Sequence, residues 1–307
     1  MAQFKNSSAV VDAEPAAERA AATDAQPVVT DRAIGEIIRD LRNLSPDQVE
    51  RILQHQRQAG IRFGEAAVAL GFASTDDVLF ALAQQFHYPY APEEQRKLSP
   101  ELVTLNSPFS LQAEAFRGVR SQLMVRVFHD RPGPRAALAV ISPESGDGKT
   151  FFAANLAVSL AQMGGRTLVI DADMRNPRLH QVFNVDNRAG LSGILSGRAE
   201  SKVIQQAQGM SNLFVLPVGT VPPNPVELVE RPAFGLLMRE LTSKFDHVVV
   251  DTPASAYGTD STVIASRCGA AMVVARKDNT HLGSLQDLVA SLAASTTTLA
   301  GVVMNDY

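Results

Sequence analysis

A short glycine-containing loop between an apolar run and a helical run constrains the fold of this chain more than any other feature. Residues 139–150 read Ala-Val-Ile-Ser-Pro-Glu-Ser-Gly-Asp-Gly-Lys-Thr. Backbone N–H groups of such a loop and the dipole of the following helix favour an anion, and Gly146 and Gly148 let the backbone approach it closely. Lys149 would reach the β- and γ-phosphates of a nucleotide, and the Thr150 hydroxyl would ligate Mg²⁺. The segment predicts a phosphate-binding loop (P-loop).

The strict form of this pattern has a glycine at position 143, where this chain has Pro143. From this segment alone, a chance Gly-x-Gly-Lys-Thr in an unrelated loop is therefore an alternative. Two other segments weaken that alternative, because each ends an apolar run with acids: Asp171 and Asp173 in one, Asp251 in the other. One acid at a strand end is often a helix cap, but three around one loop are hard to explain in that way.

In a parallel sheet, these three acids should lie at the same edge. Ligands of open parallel sheets bind beyond the carboxyl ends of the strands. We therefore expect Asp171, Asp173 and Asp251 to converge near Lys149 and Thr150. Carboxylates beside phosphate oxygens hold Mg²⁺ directly or through water, and the expected metal set is Thr150, Asp171 and Asp251.

From about residue 105, apolar runs alternate with helical patterns. The predicted strands are residues 136–141, 166–170, 212–218, 247–250, 270–274 and 299–303, and residues 150–163 and 225–243 are helical by period. Strands that are apolar throughout and alternate with helices are typical of a parallel sheet with right-handed crossovers. The predicted fold class is α/β, a P-loop NTPase with a mostly parallel sheet over residues 105–307, preceded by a small all-α module.

That all-α module is predicted from an internal repeat within residues 31–90. Ile-Gly-Glu at 34–36 recurs as Phe-Gly-Glu at 63–65, an offset of 29, and Ser45 and Ser74 stand where helix N-caps are expected. A plain packing domain without a ligand is an alternative for this module. Residues 1–30 are predicted to be a disordered tail, and the Pro-containing residues 91–104 a linker.

Composition narrows the classes of function. The net charge of −4 excludes a globally basic nucleic-acid binder, and the single cysteine, Cys268, excludes an intramolecular disulfide and a Cys-based zinc site. No apolar stretch approaches the ~18 residues of a membrane-spanning helix, and no apolar signal segment follows Met1. We expect a soluble, cytoplasmic protein.

Together these segments resemble the bacterial tyrosine autokinases of exopolysaccharide synthesis, over residues 105–307. The Walker A loop of that family is similar to residues 142–150, its Asp-x-Asp-x-Arg motif to residues 171–175, and its Walker B motif to residues 248–253. The resemblance implies an ATP- and Mg²⁺-dependent protein-tyrosine kinase. It implies Lys149, Asp171 and Asp173 as catalytic residues, and it implies nucleotide contacts from Gly146, Asp147, Gly148, Lys149, Thr150, Phe151 and Asn305. Asp173 would serve as a base or metal helper.

Two of these assignments have equally good structural alternatives. Asn305 sits where the wider superfamily has an adenine-contacting Asn, but it also suits a turn at a strand end. Arg175 suits either neutralisation of phosphate charge or a structural Asp–Arg pair.

The resemblance also implies partners. Glu114, Arg117 and Arg120 share one helix face. Their spacing alone is typical of a solvated surface, but in the family the same pattern packs one subunit against the next in a ring. Family members work at the inner face of the cytoplasmic membrane with a membrane-embedded chain-length regulator as activator. We therefore expect a homo-oligomer that associates peripherally with the inner membrane through such a partner, and no nucleic-acid partner.

The helical module resembles the N-terminal domain of type II secretion and pilus ATPases. Arg62, Gly64, Gly71, Leu82 and Gln85 follow a half-motif that binds cyclic-di-GMP in some of those domains. The N-terminal half of the repeat departs from this motif, because Ala33 stands at the position of Arg62 and Arg42 at the position of Gly71. A helical module joined to a P-loop kinase is similar to the chain-length-determinant protein tyrosine kinases of exosortase-linked clusters.

Two departures keep a second function open. The family carries a C-terminal tyrosine cluster, whereas this chain has only Tyr307 in its tail, with Tyr257 as the other candidate phosphosite; a half-buried loop aromatic is the alternative for Tyr257. Septum-positioning ATPases have a signature lysine where this chain has Glu144, which disfavours their sandwich dimer. The second function is a non-kinase, ATP-driven assembly switch that gates a polysaccharide polymerisation partner.

Overall fold

The computed structural model describes residues 33–85, 99–128, 135–198 and 202–306. They fall into two compact units, a helical one that ends at residue 85 and an α/β one that begins at residue 99. The predicted tail, most of the predicted linker and Tyr307 lie outside the described residues. Residues 99–104, predicted as the end of the linker, belong to the α/β unit.

The helical unit consists of α1 (Ile34–Arg42), α2 (Pro46–Ala59), α3 (Phe63–Ala69) and α4 (Thr75–Gln85). Helices α3 and α4 begin 29 residues after α1 and α2, as the repeat predicts. Ser45 caps α2, since its hydroxyl accepts the Gln48 N–H while the Gln48 side chain accepts the Ser45 N–H. Ile52, Ala66 and Ala67 form the buried centre of this unit.

The α/β unit contains the remaining elements. Its strands are β1 (Ala137–Ile141), β2 (Thr167–Asp171), β3 (Gln205–Gln206), β4 (Leu213–Leu216), β5 (His247–Asp251), β6 (Gly269–Arg276) and β7 (Thr298–Asn305). Its helices are α5 (Val103–Asn106), α6 (Leu111–Arg126), α7 (Lys149–Ala161), α8 (Leu179–Val182), α9 (Leu191–Leu195), α10 (Pro225–Glu230), α11 (Pro232–Lys244), α12 (Asp260–Cys268) and α13 (Leu282–Ala293).

The strands form one sheet in the order β3-β4-β2-β5-β1-β6-β7. Every pairing is parallel except that of the two-residue β3 with β4. The P-loop strand β1 lies between β5 and β6, and Asp171 of β2 is in register with Asp251 of β5. All six predicted strands are present, and the mostly parallel α/β prediction is confirmed.

Both faces of the sheet are covered, because alternate strand residues enter two separate apolar cores. On one face Leu168, Val248 and Val250 pack with α11 and α12. On the other face Leu138, Val140 and Val249 pack with α7. Helix α7 is buried along almost its whole length, since α5 and α6 pack on it from outside. This burial holds the helix that follows the P-loop in a rigid setting.

The predicted helix over residues 225–243 is instead two helices, α10 and α11. Arg231 separates them with an extended backbone (ψ 143°), because the ring of Pro232 disfavours a helical conformation in the preceding residue. The prediction followed apolar period alone and gave this proline too little weight. No helix of the described ranges is both long and apolar enough to cross a bilayer.

Candidate nucleotide-binding site

The loop between β1 and α7 has the conformation that a P-loop requires. Gly146 and Gly148 have φ angles of 85° and 98°, in the left-handed region that side-chain-bearing residues avoid. The Lys149 ammonium turns back over the loop and donates to the Ser142 hydroxyl at 3.0 Å, and its side chain is almost fully buried. Lys149 therefore already lies within the loop that would surround a phosphate group.

A cleft of 570 Å³ opens above this loop. Its lining residues are Pro100, Glu101, Val103, Ser145, Gly146, Gly148, Lys149, Thr150, Phe151, Asp173, Asn176, Arg178, Arg276 and Asn305. Ligand-binding clefts for molecules of nucleotide size have volumes of roughly 300–1,000 Å³, so the volume suits a nucleoside triphosphate. Six of the seven predicted nucleotide-contacting residues line this cleft, all except Asp147: Gly146, Gly148, Lys149, Thr150, Phe151 and Asn305.

The predicted carboxylates meet at the floor of this site. Thr150 Oγ1 donates to Asp251 Oδ2 at 2.6 Å, and Asp251 and Asp171 face one another from neighbouring strands. Asp171 is held by its neighbours, because its Oδ2 accepts the N–H groups of Arg178 and Leu179, each at 3.0 Å. The convergence that strand ends predicted is therefore present for Asp171, Asp251 and Thr150.

Asp173 lies closer to the cavity surface than the other two acids. It lines the cleft and is 8% exposed, and its Oδ1 accepts the N–H groups of Arg175 (3.1 Å) and Asn176 (2.9 Å). These bonds order the turn after β2, and both of them use Oδ1. Asp173 thus has both a turn-forming contact and access to the cavity.

Burial and mutual repulsion disfavour the charged forms of the two fully buried carboxyl groups, those of Asp171 and Asp251. Burial, followed by repulsion from Asp251, raises the pKa of Asp171 well above its usual range. Burial also raises the pKa of Asp251 to about 7, against the lowering effects of the Thr150 hydrogen bond and the Lys149 charge. Asp251 Oδ1 is buried and lacks a hydrogen-bond partner among the described residues. A divalent cation that prefers oxygen ligands would bind this oxygen and offset the repulsion between Asp171 and Asp251. The residues present therefore fit Mg²⁺.

The described residues do not form a complete cation site by themselves. Within the described ranges, no group of three or more His, Cys, Asp or Glu side chains is arranged to hold a metal ion. Mg²⁺ normally keeps several waters and is bound through one or two carboxylates together with substrate phosphates. The arrangement of Thr150 with Asp171 and Asp251 is consistent with that type of shared site.

Residues 99–106 form one wall of the cleft and are attached to α7 from within the core. Asn155 of α7 is fully buried, its Oδ1 accepts the Thr104 N–H at 3.0 Å, and its Nδ2 donates to the Glu101 carbonyl at 2.8 Å. Glu101 in turn forms an ion pair of 2.6 Å with Arg178 across the rim. Sequence reasoning missed this wall, because residues 91–104 were interpreted as a linker from their prolines and charges.

Two of the ambiguous residues have protein partners in the structure. Arg175 forms a bidentate pair with Asp260, with distances of 3.0 and 3.1 Å, which is the structural alternative of the two that the sequence left open. Asn305 lines the cleft and donates its Nδ2 to the Asp147 carbonyl at 3.0 Å. Asp147 is fully buried, its carboxylate accepts from Asn279 Nδ2, Thr280 Oγ1 and the Glu144 N–H, and its side chain does not line the cleft.

The predicted interface residues lie on α6. Glu114 and Arg117 form an ion pair of 2.7 Å, and Arg120 donates to the Ser159 carbonyl of α7 at 2.8 Å. Tyr257 ends a short 3-10 helix, Ser255–Tyr257, and 46% of its surface is exposed. That helix is joined to the P-loop, because the Ala256 N–H donates to the Pro143 carbonyl at 3.0 Å. Tyr257 therefore lies on the surface beside the site.

Residues 138–307 match the family described as the CobQ/CobB/MinD/ParA nucleotide binding domain. The match covers more than half of the chain and includes the P-loop and the three strand-end acids, and the chain belongs to this family of nucleotide-binding P-loop domains.

Within the family, the chain is similar to bacterial tyrosine-protein kinases. It is 32% identical to tyrosine-protein kinase CpsD of Streptococcus agalactiae over 169 residues, 55% of this chain and 74% of that protein. Other curated relatives are longer, and the chain spans only 28% to 29% of their length. The kinase domain of the Escherichia coli tyrosine kinase Etk superposes with a TM-score of 0.63 at 30% identity, covering 69% of this chain and 81% of that chain.

A second similar solved structure contains a bound nucleotide. The septum site-determining protein MinD of Pyrococcus horikoshii, complexed with Mg-ADP, superposes with a TM-score of 0.50 at 25% identity, over 56% of this chain and 70% of that chain. The similarity supports the same P-loop fold in this chain.

Proposed function

We propose that this chain is an ATP-dependent protein-tyrosine kinase that regulates chain length or export in exopolysaccharide biosynthesis. The observation that carries the proposal is the cleft in which Lys149, Thr150 and the strand-end acids converge, in a chain similar to tyrosine kinases along most of its α/β unit. Phosphoryl transfer depends mostly on positioning and charge stabilisation, and these groups are suited to both.

The roles of the individual residues follow from their positions. The P-loop amides and Lys149 would bind the β- and γ-phosphates, and the burial of Lys149 would strengthen its effect on charge that develops during transfer. Thr150, Asp171 and Asp251 would hold Mg²⁺, which supplies Lewis-acid charge stabilisation when bound. Asp173, at the cavity surface, would accept the proton of the tyrosine hydroxyl or help to hold the metal.

The catalytic assignment is tested with pure protein, labelled ATP and Mg²⁺. Wild-type protein should acquire label on tyrosine, whereas Lys149→Met should acquire none, because the variant lacks the cation that faces the phosphates. Lys244→Met, which removes a surface lysine paired with Glu240 on α11, is the matched control and should be labelled like wild type. Phosphotyrosine at the wild-type level in Lys149→Met would show that another residue or a contaminating kinase is responsible.

The scarcity of tyrosines favours one alternative, an ATP-driven assembly switch without kinase activity. The chain has four tyrosines, and Tyr257 and Tyr307 are the candidate acceptors. The labelled-ATP experiment separates the two functions, since a switch releases free phosphate and leaves the protein unlabelled. If label is found, Tyr257→Phe and Tyr307→Phe should identify which tyrosine carries it.

We further propose the domain organisation and partners that the family resemblance implies. Residues 1–30 would be a tail, 31–90 a module and 91–98 a linker, and the kinase domain, predicted to begin at residue 105, would also include residues 99–104 of the α/β unit. The partner would be a membrane-embedded chain-length regulator whose cytoplasmic segment activates the kinase, and this would bring the protein to the inner membrane. Glu114, Arg117 and Arg120 would contribute to a ring of subunits. Sedimentation of wild type and an Arg117→Glu variant would test that interface.

For residues 31–90 we propose the role of an input module, with cyclic-di-GMP as the ligand to test. The half-motif around Arg62 supports this ligand. Gly64 also has a packing explanation, because a Cβ at this position would lie 2.8 Å from Val78 Cγ1. In the other half, Arg42 pairs with Asp77 at 2.7 Å. Titration calorimetry with micromolar cyclic-di-GMP should give a binding signal for wild type and none for the control variant Arg62→Ala. Absence of a signal for wild type would exclude cyclic-di-GMP as the ligand.

A further inference from the structure

The last residue of β6 and the loop that follows it form several hydrogen bonds with the P-loop. Over residues 276–281 it reads Arg-Lys-Asp-Asn-Thr-His, a polar run that no motif singled out. Arg276 Nη1 donates to the Gly146 carbonyl at 3.2 Å, and His281 Nδ1 lies 2.6 Å from Glu144 Oε1, where the hydrogen bond from His281 lowers the pKa of Glu144. We call residues 276–281 the β6–α13 loop.

Asp147 is the centre of these contacts. Its carboxylate is fully buried, with Oδ1 accepting from Thr280 Oγ1 at 2.8 Å and from Asn279 Nδ2 at 3.1 Å. The other oxygen, Oδ2, accepts the Glu144 N–H at 2.9 Å within the P-loop. One side chain therefore closes the turn of the P-loop and also ties it to a segment more than 130 residues away.

These bonds determine how the peptide units of the P-loop are oriented. The carbonyls of Gly146 and Asp147 accept hydrogen bonds from Arg276 and Asn305. Because the C=O and the following N–H of a trans peptide unit point in opposite directions, each bond also directs one N–H of the loop away from its protein partner. A phosphate site needs its N–H groups oriented before the ligand arrives, since reorientation on binding lowers affinity.

We infer that Asp147 is a positioning residue for nucleotide binding, which acts by anchoring the P-loop to the β6–α13 loop and does not touch the ligand. The inference rests on the proposed function insofar as the cleft binds a nucleotide. It assigns to Thr280 and Asn279 a role in the affinity of a site whose ligand they do not contact. Neither residue lines the cleft.

The test measures the dissociation constant of Mg-ADP by titration calorimetry in the full chain. Asp147→Asn replaces an acceptor oxygen by a donor, so the side chain can no longer accept hydrogen bonds both from the Glu144 N–H and from Asn279 and Thr280 of the β6–α13 loop. We expect affinity to fall about tenfold, the equivalent of one lost anchoring bond of about 1.4 kcal/mol. Asp287→Asn, an exposed acid on α13, is the matched control and should bind like wild type.

Thr280→Val keeps the inference testable should Asp147→Asn fold poorly, and a double variant tests whether the two residues act together. Thr280→Val keeps the shape of the side chain and removes the hydroxyl that donates to Asp147 and accepts the Arg276 N–H at 2.7 Å, and we expect a smaller loss of affinity of about threefold. The double variant should bind no more weakly than Asp147→Asn, because both substitutions break the same anchor. Unfolding by denaturant without nucleotide is measured in parallel, and a purely structural role would lower stability while the dissociation constants of the folded variants stay within twofold of wild type.

The outcomes also separate this inference from the proposed function. Wild type that binds neither Mg-ADP nor Mg-ATP contradicts the proposed function itself. Tight binding to wild type and equally tight binding to folded Asp147→Asn and Thr280→Val contradicts only the role of Asp147. Additive losses in the double variant would show that Thr280 acts through some other contact.

Discussion

Thr150 Oγ1 donates a 2.6 Å hydrogen bond to Asp251 Oδ2, and this bond joins the first turn of the P-loop helix to the end of the central strand β5. The two residues are 101 positions apart in sequence. The bond uses one oxygen of Asp251 and leaves the buried Oδ1 without a partner among the residues described. The geometry therefore combines a hydroxyl and a carboxylate that a divalent cation could share.

We predict that Asp251→Asn stabilises the protein in the absence of nucleotide and abolishes Mg²⁺-dependent nucleotide binding. Burial raises the pKa of Asp251 to about 7, so at pH 8 the folded protein holds a desolvated charge beside Asp171. Removing that charge should raise the free energy of unfolding by about 1–2 kcal/mol. Denaturant unfolding at pH 8 and calorimetry with Mg-ADP measure the two effects. Lower stability than wild type at this pH would contradict the account.

Replacement of Gly148 by alanine should lower nucleotide affinity. Its φ of 98° is strained for alanine, and a Cβ at this position would collide with the Asn305 amide. Gly164→Ala is the matched control, because its φ is 93° and no atom lies within 4 Å of the added Cβ. Both variants should lose about 1–2 kcal/mol of stability through the left-handed backbone. Equal nucleotide affinities in the two variants would show that the collision with Asn305 has no functional effect.

Asn155→Leu should destabilise the α/β unit by about 2–4 kcal/mol, because the Thr104 N–H would be buried without an acceptor and the Glu101 carbonyl would keep only its bond from the Val103 N–H. Since these groups lie in the cleft wall, nucleotide affinity should also fall. The control is Gln162→Leu at the C-terminal end of α7, which removes a 3.1 Å hydrogen bond to the Thr104 carbonyl. It tests whether the loss of any polar contact to this segment lowers nucleotide affinity. It should affect nucleotide affinity much less.

His247 should make stability depend on pH below neutrality. Burial lowers the pKa of this side chain, which packs edge-on against Phe128 with ring centroids 5.2 Å apart. As pH falls below about 6.5, the unfolded chain binds a proton that the folded chain resists, so the free energy of unfolding decreases until the folded-state pKa is passed. Above about 6.5 this contribution is complete. His247→Gln should reduce the slope between pH 7 and pH 5 in denaturant unfolding.

The matched control for this pH dependence is His55→Gln in α2, which should leave the slope in the α/β unit as in wild type. An unchanged slope in His247→Gln would assign the pH dependence to other groups. His180 is the first to consider, because burial also lowers its pKa.

Local features of the site could be predicted because they depend on short segments. The apolar run before residue 142, the glycines at 146 and 148 and the helix after Thr150 predict the P-loop from about ten consecutive residues. The position of Asp251 followed from a single rule, that ligands bind beyond the carboxyl ends of parallel strands. The boundary at Arg231 could also have been predicted, since the proline at 232 carries the signal in one residue.

The sequence by itself determined the P-loop, the mostly parallel α/β fold and the acids that would face it, because each depends on local periodicity or on a rule that holds for any such sheet. Only the tertiary structure decided what those residues contact. Arg175 pairs with Asp260 across 85 positions, and Asp147 turns away from the cleft toward Thr280 across 133. The order of strands in the sheet brings β1 beside β6, and contacts between the loops that follow them depend on that order. No spacing along the chain contains this information.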